Sequence, residues 1–334
     1  ADMWLALAEI ALERSYARPE FSDDACLEIV AGRHPVVEIA TEEGEFIAND
    51  THLCARDGDA DAIQDEATPS IMLLTGPNMA GKSTYLRQVA LITLMAQVGS
   101  FVPAKAARIG LVDRIFTRVG AEDDLARGLS TFMLEMVETA YILRHATARS
   151  LVVLDEVGRG TSTADGLSIA RAVVEYLHDY IGSRTLFATH YHELADLAET
   201  LPHVGVFRMA VAERNDSAIF LHRVLPGASA DSYGVQVARM AGLPATVTTR
   251  ASALLSQHAN TQRRVAEIPA AYAASSVPTD DSEANTRVAR RERDLALDLA
   301  AANIAALTPI EAINVLFALQ QRALALLQAK GEEV

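Results

Sequence analysis

The chain reads as an α/β protein whose core is a mixed, largely parallel sheet covered by helices, and three observations predict this. Short apolar runs alternate with segments of helical spacing from residue 71 to about 226, as in a sheet buried on both faces. A glycine-rich string, GPNMAGKST at 76–84, joins one of these apolar runs to a helical segment. Farther on, Leu151-Val152-Val153-Leu154 runs straight into the carboxylates Asp155 and Glu156, as at the C-terminal end of a buried parallel strand.

Taken in order, residues 1–15 show helical spacing through Trp4, Leu5, Ala8, Ala11 and Leu12. The chain opens on Ala1 rather than Met, with no targeting pattern, so 1–20 is expected to be the end of a helix in a longer polypeptide. Residues 20–70 read as short strands and turns, with a polar, acidic loop at 57–68. The run at 71–75 is the first core strand and 84–95 a helix. The apolar stretch 89–104 is broken by Gln97 and Ser100 and falls short of the ~20 residues a membrane span needs, so it is expected to be the core helix behind the glycine loop, with no membrane partner. Further strands are expected at 114–118, 151–154, 185–188 and 218–224. Two short helices flank Gly242-Leu243-Pro244 within 227–260, and a segment rich in Ala, Ser, Thr and charge reads as a linker over 261–300. A last helix occupies 301–334. Its start is Thr308-Pro309-Ile310-Glu311, a capping box with proline at the first helical position, and Gly331 lies just past its end.

With 334 residues, half of them apolar, the chain can bury a sizeable core. Its two cysteines, Cys26 and Cys54, form no C-x-x-C pair, which argues for a reducing, cytoplasmic compartment and against a structural zinc or a disulfide framework. The net charge of -15 makes this segment by itself a poor DNA binder. The helix pair around Gly242 is no better suited to the task. Its second member, 245–257, carries a single cation, Arg250, and no Asn or Lys to read base edges, so a dimer contact is expected there.

The string Gly76-Pro77-Asn78-Met79-Ala80-Gly81-Lys82-Ser83-Thr84 is a complete phosphate-binding P-loop, which implies ATP or a similar nucleoside triphosphate. Its glycines let the backbone curl amides toward phosphate oxygens, and Lys82 supplies a point charge at the β/γ bridge. Ser83 is placed to hold Mg²⁺, and the following helix offers its N-terminus to the anion. Asp155 would serve the same Mg²⁺, while Glu156 would orient and deprotonate the attacking water. The strand Thr185-Leu186-Phe187-Ala188-Thr189 delivers His190, which could donate to the γ-phosphate and sense its presence. Ser130-Thr131 opens another helix, with Phe132, Met136, Ala140 and Leu143 as its apolar face. Two hydroxyls at a helix start can cap it or bind an anion. ABC-type ATPases keep their signature segment at this place, although the transporters' L-S-G-G-Q is absent.

The strings GPNMAGKSTYLRQ, RIFTRVGAEDDL, STFMLEM, LDEVGRGTST and FATHYHEL together resemble the DNA mismatch repair ATPase family MutS, in the same order, over residues 1 to about 260, with a looser match over 308–320. The resemblance implies a P-loop NTPase of ABC type at 21–226 with a helical dimerisation region at 227–260, which uses ATP and Mg²⁺ to switch a clamp on DNA. It makes Asp155 a Mg²⁺ ligand, Glu156 and His190 catalytic, and Ser130 a contact to the γ-phosphate of the opposite subunit of a homodimer. The turn at 160–166 would cross that interface. Phe46, next to Ile47, would stack on adenine with His222 on the other face; from the residues alone Phe46 reads as a core strand position and His222 as a surface one. Mismatched duplex DNA, bound through domains outside this chain, and a MutL-type repair protein are the implied partners. Two departures stand out: Ala230-Asp231 precede Ser232-Tyr233-Gly234 where the family is usually basic, and Ala80 replaces a common glycine, a tolerable change if its φ is negative. The competing readings are another ABC-type ATPase, such as a transporter or SMC-like subunit, and a module that binds nucleotide without hydrolysing it.

Overall fold

Strict alternation of buried side chains along three neighbouring strands sets the layering of the molecule. A computed structural model describes residues 2–41, 46–56, 68–120, 130–214, 217–229 and 233–266. In chain order these form α1 (Asp2–Glu13), β1 (Glu20–Ser22), β2 (Cys26–Gly32), α2 (Val37–Ala40), β3 (Asn49–Cys54), β4 (Ile71–Thr75), α3 (Lys82–Gln97), β5 (Ala106–Gly110), β6 (Ile115–Arg118) and α4 (Thr131–His145). Then come β7 (Leu151–Asp155), α5 (Thr163–Tyr176), β8 (Arg184–Ala188), α6 (Leu197–Thr200), β9 (Val204–Arg214), β10 (Ser217–Pro226), α7 (Gly234–Met240) and α8 (Ala245–Ala266). Met72, Leu74, Val153 and Leu186 face one way, onto Tyr85, Leu86, Val89 and Ile92 of α3. Ile71, Leu73, Val152 and Phe187 face the other way, onto Ile142 of α4 and Ala170, Val173 and Val174 of α5. A period of two with both faces covered is what produces uninterrupted apolar strands, each buried side chain contributing roughly 1.5–3 kcal/mol over exposure.

The central sheet has six strands in the order β10-β9-β4-β8-β7-β6. Neighbours from β9 to β6 run parallel, and β10 returns antiparallel at the edge. The expected mixed, largely parallel sheet is therefore present. In such a sheet the C-terminal ends of the parallel strands open onto one edge, and β4, β7 and β8 deliver Thr75, Asp155 and Ala188 there.

Several expectations need correction. The apolar alternation from 71 to 226 does not all belong to one sheet. β5 joins a separate four-stranded sheet, β1-β5-β2-β3, and β9 is a strand that the charged and small residues between Arg208 and Arg214 concealed. The helix expected to reach residue 104 ends at Gln97, because Gly99 turns at φ +88 beneath Trp4. On α4 the fully buried positions are Glu135, Thr139 and Ile142, one residue off the expected face, with Met136 and Leu143 only partly buried. Cys26 and Cys54 are not free: they stand opposite each other in the β2–β3 pairing and form a disulfide. The spacing of two cysteines carries no register, so nothing in their separation along the chain announced this pair.

The chain divides into a compact unit ending at Leu254 and a second from Leu255, of which the described part is the remainder of α8. Residues 261–266 are helical rather than linker. The rest of the expected linker, the helix at 301–334 with its capping box, Ala230 to Ser232, residues 121–129 and nearly all of the acidic loop lie outside the described residues. Among the described residues no helix is long and apolar enough to cross a membrane.

Candidate active site

The site begins where β4 runs out. All five residues of β4 are buried, and Gly76 follows at φ +127, packed so that a Cβ would stand 3.2 Å from Met209 Cβ. Pro77 is extended, Asn78–Ala80 make one 3-10 turn, and Gly81 enters α3 at φ +100, a value only glycine adopts without strain. The start of α3 has no side-chain cap, which leaves its first-turn amides to an anion. Ala80 keeps a negative φ within its turn, so the alanine in place of glycine is accommodated. It is fully buried, and its carbonyl accepts a hydrogen bond from His222 Nδ1 at 3.0 Å.

Lys82 is only 1% exposed. Its ammonium donates to the Gly76 carbonyl and, at 3.0 Å, to Asn78 Oδ1, and stands 3.8 Å from Glu156 Oε1. Burial pulls its pKa below the ordinary lysine value, and the carboxylates of Glu156 and Asp155 oppose that. Asp155 ends β7, where its Oδ2 accepts from Ser83 Oγ at 2.5 Å. Its Oδ1 is buried with no hydrogen-bond partner. Burial raises the Asp155 pKa above the usual carboxylate value, and the Ser83 hydroxyl holds it down. Glu156 leaves the strand at φ +56, anchored by its N–H to the Ala188 carbonyl at 2.9 Å. Its carboxylate receives Arg159 Nη1 at 2.5 Å. Asn78, Ser83, Asp155 and Glu156 line one cavity of about 490 Å³, together with Arg87, Arg118, Thr131 and Glu135.

The remaining expected residues distribute around this cavity. His190 follows β8 and is exposed, its ring centroid 4.0 Å from that of Tyr191; it does not line the cavity. Partial burial lowers its pKa, and Glu156 opposes the shift. Ser130 caps α4 by accepting the Met133 N–H at 3.2 Å and is exposed, whereas Thr131 lines the cavity.

A second pocket, about 260 Å³, lies on the far side of the loop and brings together Phe46, Ile47, Met79, Gly81, Thr84 and His222. Phe46 is half-buried in the turn before β3 rather than on a core strand. His222 sits at φ +52 within an irregularity of the β10–β9 pairing and turns its ring toward the loop. Asn49 holds it there: its amide donates to the His222 carbonyl at 2.9 Å, and its oxygen accepts the Val224 N–H at 2.7 Å. Asn49 was missed by sequence reasoning although it stands three residues after Phe46, and so were Glu135 and Arg118. A glutamate on the otherwise apolar side of α4 was the available signal for Glu135.

The chain can now be set beside known proteins. The model of "MutS domain V" matches residues 72–259, more than half of the chain. The chain belongs to the MutS family. It is 58% identical over 256 residues to the DNA mismatch repair protein MutS of Rhodopirellula baltica, covering 77% of this chain and 28% of that protein. To the MutS protein of Acetivibrio thermocellus it is 52% identical over 324 residues, 96% of this chain and 36% of the relative. The corresponding protein of Desulforamulus reducens is 48% identical over 321 residues, 96% and 35%. This MutS segment thus spans about a third of the length of these relatives.

Proposed function

We propose that this segment binds ATP and hydrolyses it, as the ABC-type ATPase part (21–226) of a MutS protein acting in DNA mismatch repair. The observation that carries the reading is the meeting of the Lys82 loop, the Ser83–Asp155 pair and Glu156 in one cavity. The unpartnered Asp155 Oδ1 fits a hard cation, since an orphaned buried carboxylate oxygen is costly unless a ligand meets it. Ser83 and Asp155 would hold Mg²⁺, which when bound neutralises charge on the β- and γ-phosphates.

The chain's own residues do the rest. The amides of 76–84 and Lys82 grip the phosphates, and Glu156 orients a water for in-line attack and takes its proton. His190, at the end of β8, reads the γ-phosphate. Phe46 and Ile47 on one side and His222 on the other enclose adenine, which the apolar lining of the second pocket supports. Exchange of Glu156→Gln should preserve ATP binding and reduce turnover about 10²-fold or more. Single-turnover hydrolysis by the variant at the parental rate would reject this role.

Ser130 lies outside its own chain's cavity, which supports action on the nucleotide of a second subunit in a homodimer held through 227–260. Lys82→Ala and Ser130→Ala proteins should each be inactive, yet recover ATPase activity after subunit exchange, because one site of the mixed dimer then carries neither defect. Exchange verified by light scattering without recovered activity would place Ser130 as a helix cap alone. The clamp switch, contact with mismatched DNA and docking of a MutL-type protein belong in this reading to the longer polypeptide; the net charge of -15 supports placing the DNA contacts elsewhere.

A further inference from the structure

Glu156 holds a left-handed backbone conformation, φ +56, that costs a non-glycine residue on the order of 1 kcal/mol or more, so its surroundings must enforce it. The backbone of Gly158, two residues downstream, is gripped on both sides of its Cα. The Gly158 N–H donates to Glu135 Oε1 at 2.5 Å, and the Gly158 carbonyl accepts from the Tyr191 hydroxyl at 2.9 Å. Both side chains are buried, Glu135 at 5% and Tyr191 at 3% exposure. Neither is adventitious packing around a loose turn. A Cβ on Gly158 would stand 2.5 Å from the Gly166 carbonyl oxygen, and one on Gly166 would stand 2.1 Å from the Tyr191 hydroxyl, so the turn has been pared down to admit the clamp. Glu135 is fixed in turn by Arg118, whose guanidinium lies 3.9 Å from Oε2 and pairs with Glu138 at 2.9 Å. Tyr191 is fixed by its own N–H, which donates to Thr189 Oγ1 at 3.0 Å.

We infer that Glu135 and Tyr191 are positioning residues that aim the Glu156 carboxylate by clamping the backbone of Gly158, its N–H and its carbonyl, between α4 and the segment that follows β8. The inference rests on the reading of Glu156 as the base of ATP hydrolysis. It assigns a task to a buried carboxylate on α4 that lines the cavity and to a buried phenol beside His190. Loosening the clamp should leave nucleotide in place and misplace the base, and a misplacement of about 1 Å can cost up to 10²-fold in rate.

The test uses the intact protein that carries this segment and measures single-turnover ATP hydrolysis, ATP affinity and the thermal midpoint for Tyr191→Phe, Glu156→Gln and the double variant. Tyr191→Phe keeps the ring and removes one hydroxyl. We expect it to slow hydrolysis about tenfold to a hundredfold with affinity and midpoint unchanged, and to add nothing once Glu156→Gln is present, because residues acting through one group are not additive. Glu135→Gln keeps an oxygen that can accept the Gly158 N–H and should hydrolyse faster than Glu135→Ala; should the alanine variant fail to fold, the Tyr191 comparison decides alone. An inactive Glu156→Gln beside a fully active Tyr191→Phe overturns the clamp and leaves the base in place. Losses that multiply in the double variant overturn it as well. A fully active Glu156→Gln removes the base itself, and the clamp with it.

Discussion

The cavity behind the loop and the pocket beyond it are assembled in opposite ways. Lys82 and Ser83 come from one short string and Asp155 and Glu156 from another, and their chemistry is charge held in burial. Phe46, Met79 and His222 come from a turn, a loop and an irregular strand far apart in the chain, and what they share is apolar surface and ring faces. The first region offers charge at fixed points, which tolerates little change of residue. The second offers shape and ring faces, which many residues can supply.

If the two regions divide the labour in this way, a phosphate-end variant and a base-end variant must fail on different ligands. The largest effect is expected for Lys82→Ala, which should reduce ATP turnover about 10²–10³-fold while leaving the affinity for adenosine intact. Competition against a fluorescent nucleotide measures both, and an equal loss of adenosine binding would erase the distinction. Next comes Phe46→Ala. It should weaken ATP and adenosine alike by about tenfold, in line with the ~1–3 kcal/mol that a base–aromatic stack contributes, and leave inorganic triphosphate binding unchanged. A loss confined to the triphosphate would break the comparison from the other side.

The smallest effect sharpens the comparison on stability. Burial raises the Asp155 pKa in the folded state above its unfolded value, so folding disfavours the ionised form. The resulting cost is absent at pH values below the unfolded carboxylate pKa, grows as pH rises above it, and is fully present once pH exceeds the raised folded pKa. Asp155→Asn should therefore raise the thermal midpoint of the nucleotide-free protein at pH 7 by about 2–4 °C, the shift that ~1 kcal/mol produces in a domain of this size, while removing Mg²⁺-dependent turnover. Phe46→Ala removes no buried charge and should give no such gain. Calorimetry of the two variants at one pH separates them.

The same contrast explains what could be read from the sequence. Loop and carboxylate residues announce themselves because their chemistry needs fixed spacing along one strand or turn, so the P-loop, Asp155 and Glu156 were placed from residue types and order. Strands β4, β7 and β8 were equally plain, being buried on both faces. The apolar pocket was legible only through family resemblance: nothing in the string around Phe46 reveals that the chain turns there, and His222 depends on a pairing irregularity held by Asn49. Cys26 and Cys54 were misread for a related reason, since their meeting is a matter of strand register. Glu135 and Tyr191 meet the backbone of Gly158 in a third segment, and no local pattern records a contact of that kind.

Asn49 belongs to the four-stranded sheet, yet two of the hydrogen bonds of its side-chain amide join it to β10 in the six-stranded one, and the pocket beside it is walled by residues of both. A molecule seated there would be a removable crosslink between two sheets that also share a hydrophobic core. Binding would then add to the resistance of the joined sheets to opening, about 2.7 kcal/mol when the ligand stands at a hundred times its dissociation constant. On the proposed reading, release of product would lower that resistance and a new nucleotide would restore it.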